Sequence, residues 1–178
     1  MAVISMCQIA LLTFVLTLSI SNPAATNFPL TGEALSSFIE HPFDFALGMT
    51  RKDVLKSLGA PVKEARSTRQ NPHDPTVTDV FYTFQYDGLE VRTGEFPGAS
   101  PPAAGLILVV FTNGKYKLKH HLQVGSSKKD VQRVLGWPET EFGMAMWTYQ
   151  GDEAGYVWLT FTFHNEQVSR IEWSQTWD

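Results

Sequence analysis

The chain carries a single cysteine, Cys7, close to its start. One thiol excludes an intrachain disulfide and a cysteine-built zinc site. Cys7 also precedes the apolar run that follows it, whereas a lipid-anchoring cysteine sits at the end of such a run. The first 32 residues contain no Asp, Glu, Lys or Arg. All 14 basic and 18 acidic residues therefore lie between Glu33 and Asp178, and the net charge of −4 belongs to that part alone. With no basic excess, a polybasic nucleic-acid binder is excluded. Histidine is sparse: His41, His73, His120, His121 and His164 show no metal-ligand spacing. There is no nucleophile elbow, phosphate loop or nucleotide fingerprint. Asp152 and Glu153 are adjacent acids in a polar stretch and read as solvated. Neither enzyme activity nor a metal or cofactor is expected.

What is present starts with the apolar run Ile9 to Ile20, followed by the small residues Ser21, Ala24, Ala25 and Thr26. This order reads as a secretory signal cut between Ser21 and Thr26. An uncleaved anchor and a buried structural segment are the alternatives, and Gln8, Thr13, Thr17 and Ser19 count against the anchor. The resulting division is 1–25 for the signal, 26–119 for a first repeat and 120–178 for a second. It places the mature chain in the periplasm or outside the cell, compatible with peripheral outer-membrane association.

The repeat is explicit. Gly48-Met-Thr-Arg-Lys-Asp-Val-Leu-Lys-Ser-Leu-Gly-Ala-Pro61 matches Gly125-Ser-Ser-Lys-Lys-Asp-Val-Gln-Arg-Val-Leu-Gly-Trp-Pro138 at an offset of 77, with seven of fourteen positions identical. Each segment reads as a capped helix. Thr50 and Ser127 are N-caps, and Asp53 and Asp130 complete a carboxylate capping box. Val54 and Leu58, like Val131 and Leu135, share a buried face. Gly59 and Gly136 stop the helices, and Pro61 and Pro138 prevent continuation.

Strands are expected after each helix. In the first repeat they are Val80–Tyr86, Leu89–Thr93, Leu106–Thr112 and Lys115–Lys119, with hairpin turns at Asp87-Gly88 and Asn113-Gly114. In the second they are Met146–Gln150, Tyr156–His164 and Val168–Trp173. Val62–Asp79 and Gly94–Gly105 read as loops, and Leu35–Glu40 as a short helix. The fold class is α+β: two tandem helix-plus-antiparallel-sheet repeats with the helices on one face.

Aligning Asn113 with Asn165 puts Ile107, Val109 and Phe111 against Leu159, Phe161 and Phe163 as the helix-facing core. The opposite face then carries Leu106, Leu108, Val110 and Thr112, with Trp158, Thr160, Thr162 and His164. Leu106, Leu108 and Val110 are either covered or form a binding patch. All five tryptophans fall in the last 42 residues. Trp147 and Tyr149 align with Tyr82 and Phe84 as core, Trp158 is the candidate exposed anchor, and Trp137 sits at a helix exit. The candidate protein-binding set is therefore Trp158, Thr160, Thr162, His164, Leu106, Leu108, Val110 and Trp137. A basic cluster, Lys115, Lys117, Lys119, Lys128, Lys129 and Arg133, reads as a charged edge strand or as a contact for an anionic lipid or acidic protein.

The motif Gly-x-Thr/Ser-x-x-Asp-Val-x-x-x-Leu-Gly-x-Pro, then Trp147-Thr-Tyr149, Leu159–Phe163 and Val168-x-x-Ile171, resembles the small outer-membrane assembly lipoproteins (SmpA/OmlA, the BamE type). It also resembles the β-lactamase-inhibitor-protein-like superfamily, in which this unit occurs in tandem. The resemblance spans about residues 46–173 and implies a non-catalytic binding module. The expected partner is an envelope protein. The alternatives are an inhibitor or immunity protein that blocks an enzyme with its concave face, and a carrier of a small hydrophobic ligand beneath Leu106, Leu108 and Val110.

Overall fold

The computed structural model describes residues 28–142, 145–151 and 156–176. The expected export signal with Cys7, the Asp152-Glu153 pair and Trp177 lie outside these residues.

Thr50 and Ser127 cap their helices as the sequence predicts. The Thr50 hydroxyl accepts from the Asp53 backbone N–H, and Asp53 closes the box back to Thr50 N–H at 3.2 Å. Ser127 and Asp130 repeat this arrangement, at 3.1 and 3.3 Å. The helices run Arg51–Leu58 (α2) and Lys128–Leu135 (α3). Both end on glycine with almost the same backbone, Gly59 at φ 76°, ψ −161° and Gly136 at φ 77°, ψ −161°. That region is open to glycine and nearly closed to other residues. A third helix, Glu33–Glu40 (α1), precedes them and buries Phe38 and Ile39.

Eight strands form one antiparallel sheet: β1 Lys63–Gln70, β2 Thr78–Tyr86, β3 Leu89–Phe96, β4 Ala103–Phe111, β5 Thr140–Phe142, β6 Met146–Gln150, β7 Val157–His164 and β8 Gln167–Gln175. Their order is β1-β2-β3-β4-β8-β7-β6-β5, so β4 and β8 meet in the middle. The protein is thus α+β. Among the described residues no helix is long and apolar enough to cross a membrane.

Cross-strand register sorts the faces. One row reads Phe84, Val91, Val109, Trp173, Leu159, Tyr149; the next reads Tyr86, Leu89, Phe111, Ile171, Phe161, Trp147. These residues, Tyr86 only in part, pack with Phe38, Ile39, Val54, Val131, Val134 and Leu135 of the three helices in one core cluster. Each large side chain fully buried there contributes about 1.5–3 kcal/mol. The Trp173 indole N–H donates to the Ile39 carbonyl at 2.9 Å, which ties α1 to β8.

Several elements differ from the sequence reading. Val62–Asp79 is not a loop, since it holds β1, exposed at every residue. A strand with no apolar alternation lacks the signal by which strands are recognised. Its Lys63, Arg66 and Arg69 supply the edge charges expected of Lys115–Lys119. Residues Lys115–Lys119 form no strand: the chain leaves β4 through a turn, and Lys119–His121 is a tight turn with positive φ at His120 and His121. Asn113 instead clamps the other turn. Its side chain fills the space where a Cβ on Gly88 would lie and donates to Asp87 at 3.2 Å.

The cap geometry generates a prediction. The Ser127 hydroxyl hydrogen bond, first among several causes, holds the Asp130 carboxyl below the usual carboxylate range. A lowered native pKa gives stability present above the ordinary value of about 3.9 and lost as pH falls through the native value. Ser127→Ala is expected to cost about 1 kcal/mol at neutral pH. Thermal unfolding should show that deficit at pH 7 and a smaller one in acid below the carboxylate range. An unchanged deficit would exclude the coupling.

Candidate functional site

The sheet face turned away from the helices forms its own rows. One reads Thr83, Arg92, Leu108, Ser174, Trp158, Gln150; the next reads Gln85, Glu90, Val110, Glu172, Thr160, Thr148. Val110 is buried to 3% exposure yet stands outside the helix-side cluster. Its burial comes from the open face, where Glu90 and Glu172 flank it on the neighbouring strands. Leu108 and Trp158 are half-buried, two strands apart, with the small Ser174 between them. Thr148 and Thr160 share a hydroxyl–hydroxyl contact at 3.1 Å. Arg170 and Glu172 form an exposed ion pair at 2.7 Å. Thr162 is half-buried opposite Arg170, and His164 is exposed at the strand end, before a two-residue turn with positive φ at Asn165 and Glu166.

The structure thus brings Trp158, Thr160, Thr162, His164, Leu108 and Val110 onto one face and leaves the other two of the eight candidate binding residues off it. Leu106 lies in the core at 7% exposure. A β-bulge is the cause: Arg92 pairs with Leu108 and Thr93 with Leu106, leaving Ile107 as an extra residue. Below the bulge the alternation inverts, so Leu106 faces the helices and Ile107 faces out over Gly94. Both assignments from strict alternation are corrected. Trp137 is 71% exposed, but its ring stands 5.8 Å from Trp147 on the helix side.

The basic cluster also lies apart from the open face. Lys128 covers the Trp147 ring at 4.6 Å and the Phe163 ring at 5.4 Å. Arg133 meets Asp130 at 3.5 Å, and Lys115 meets Asp87 at 3.5 Å. Lys117 and Lys129 are exposed. With no strand beneath them, Lys115, Lys117 and Lys119 do not share a strand face. Three of the six cations are spent on contacts within the chain, which weakens the cluster as an anion platform.

On the helix side a cavity of about 420 Å³ opens between Phe43, Phe45, Leu106 and Trp173, with Glu40, His41 and Lys119 at its polar positions. A second turn region, around Phe28, holds His120 between aromatic rings at 5.3 and 5.6 Å. Burial, first, and then His121 and Lys119 push His120 below its usual pKa, favouring the neutral form. Among the described residues no group of three or more His, Cys, Asp or Glu is placed to hold a metal.

No family model and no curated protein matches the chain. Among solved structures, an uncharacterized protein, yfeY from Escherichia coli, matches with a TM-score of 0.39 and 7% identity, over 76% of this chain and 96% of that one.

The bulge makes a direct prediction. Leu106→Ala should destabilise by about 2–4 kcal/mol, as for a core leucine. Ile107→Ala should cost clearly less. Urea unfolding of the two variants measures the difference, and the reverse order would restore strict alternation.

Proposed function

We propose that the chain is a non-catalytic, exported protein-binding module of a bacterial cell envelope, with its partner docking on the open sheet face. One observation carries this reading. All three helices direct their buried side chains to one side of the sheet. The other side is left with Leu108, Ser174 and Trp158 at its centre and Glu90, Arg92, Arg170 and Glu172 around them. An apolar and aromatic centre with a polar margin is the composition of a protein interface. Trp158 is the anchor, being large, half-buried and bordered by small or polar neighbours. Export rests on the apolar, charge-free start of the sequence.

We further propose that the two halves are tandem copies of one helix-plus-four-strand unit. The mirrored strand order supports this, as do the shared capping boxes and glycine stops. So does a paired contact: the Tyr86 hydroxyl donates to the Gly59 carbonyl at 3.1 Å, and Tyr149 to that of Gly136 at 3.0 Å. This contact pairs Tyr149 with Tyr86 and Trp147 with Phe84, one alternation away from the pairing that sequence alignment suggests. It also makes β8, not β7, the counterpart of β4.

An inhibitor or immunity protein would use the same face, and loss of a partner's enzymatic activity on binding selects that reading. The carrier reading draws on the 420 Å³ helix-side cavity, whose wall includes Leu106. Pull-down from envelope extract separates the classes. A stoichiometric protein partner should bind the wild-type chain and Trp137→Glu, and weaken at least about tenfold with Trp158→Glu. Recovery of lipid alone would overturn the protein-binding reading.

A further inference from the structure

We propose that a second cavity, at the β1 end of the open face, binds a small monocarboxylate with an apolar body. The cavity measures about 520 Å³ and is lined by Arg69, Asp79, Phe81, Arg92, Phe96 and Ile107, among others. That volume lies within the range of roughly 300–1,000 Å³ typical of small-molecule sites. It lies beside the proposed docking centre and shares Arg92 with its margin, while Leu108, Ser174 and Trp158 line none of it.

The floor is built by two glycines and the bulge. Phe81 pairs with Gly94, and Gly94 with Gly105, so this row is bare on β3 and β4. Phe96 and Ile107 fold into the bare space. A Cβ added to Gly94 would meet Phe96 Cζ at 2.6 Å and Ile107 Cδ1 at 2.8 Å, so it would displace the ends of both side chains from the floor. Phe81 and Phe96 stand edge to face with centroids 6.1 Å apart. The result is an apolar wall, partly aromatic, on a sheet face that is otherwise polar toward this edge.

The charges in that wall are unspent. The Arg92 guanidinium stacks over Phe81 at 5.0 Å. Its Nε–H is buried without a hydrogen-bond partner among the described residues. Neither Arg92 nor Arg69 forms an ion pair among those residues. Asp79, at 4% exposure, is the opposing charge, and both its oxygens are held by the Asn71 side-chain amide at 3.2 Å. Two guanidiniums against one occupied carboxylate give the cavity a net positive character. A planar guanidinium laid on an aromatic face presents a fork that matches a carboxylate. A buried donor left unmet is destabilising, and the Arg92 guanidinium that carries it lines the cavity. Asp79 selects against a dianion, because like-charge repulsion grows with each added negative charge. The apolar wall selects for a hydrocarbon or aromatic body behind the carboxylate.

The test uses the purified, 15N-labelled chain and follows the arginine Nε–Hε resonances by NMR. The probe is 4-phenylbutyrate, with its neutral amide and inorganic phosphate as comparisons. Phenylbutyrate should shift the Arg92 Nε–Hε resonance saturably, with little response to the amide or to phosphate. Arg92→Gln should weaken phenylbutyrate at least about tenfold, the scale of one lost charge-assisted hydrogen bond. Arg92→Lys, which keeps the charge and loses the fork, should fall between the two. Exposed Arg69→Gln should weaken binding several-fold and leave the thermal melt unchanged, so the test survives if Arg92→Gln fails to fold. The proposal is overturned by any of three results: no saturable shift, an equal response to the amide or phosphate, or full affinity in the folded arginine variants.

Discussion

The pairing of β4 with β8 is the constraint on which the other features depend. Four residue pairs, from Leu108 with Ser174 to Phe111 with Ile171, turn two four-stranded sheets into one. Side chains alternate along every strand, so this seam also sets which residues of both halves face the helices. A slip of one residue would send Val109 and Phe111 outward and break both core rows at their centre. Closing the seam also removes two strand edges that would otherwise template aggregation. The edges that remain are the short β5 and the charged β1. The Trp173 to Ile39 hydrogen bond lies at this seam, so α1 is held where the two halves join.

Two local departures from alternation then shape the faces that the seam defines. The extra residue Ile107 on β4 exchanges the environments of two neighbouring side chains. Leu106 goes into the helix-side cavity with Phe43 and Trp173, and Ile107 closes over Gly94 on the other side. One bulge therefore contributes a wall residue to a cavity on each face. The second irregularity lies between β7 and β8, where Ser169 is the unpaired residue. Its hydroxyl donates to the Thr162 carbonyl at 3.1 Å, supplying a hydrogen bond where the ladder is interrupted. A small hydroxylated residue suits that position, and β7 keeps its alternation through His164.

The legible parts of the sequence were those with short-range chemical signatures. The helices α2 and α3 follow from Thr50, Asp53, Ser127 and Asp130, with Gly59 and Gly136 as stops, and the Asp87-Gly88 turn follows from turn chemistry. Alternation predicts the shared face of Trp158, Thr160 and Thr162 because β7 alternates without interruption. Three features left no such mark. β1, Lys-Glu-Ala-Arg-Ser-Thr-Arg-Gln, is exposed on both faces, so its pairing shows as no periodicity. The bulge sits in the apolar run Leu106–Val110, where every register looks equally hydrophobic. Asn113-Gly114 has the composition of a hairpin turn, but β4 already has β3 and β8 as partners, so no third strand can pair there. The open-face cavity leaves no sequence signature for the same reasons: Arg69 lies on a strand without periodicity, and strict alternation turns Ile107 inward.

Burial within the open face also determines which residues can contribute binding energy. Val110 sits at the centre of the seam, but at 3% exposure it has almost no area left to lose. Docking energy scales with the apolar area removed from water, so in the proposed docking Val110 would shape the surface and contribute little of that energy. Glu90 and Glu172 beside it must be desolvated or kept at the rim of any interface, which moves the energetic centre away from that row. The adjacent row has the opposite composition. Leu108 and Trp158 retain exposed area, and Ser174 between them is too small to fill the gap. In the proposed docking, a partner side chain would enter between Leu108 and the indole and lose water on both sides, with Arg92 and Glu172 at its margin.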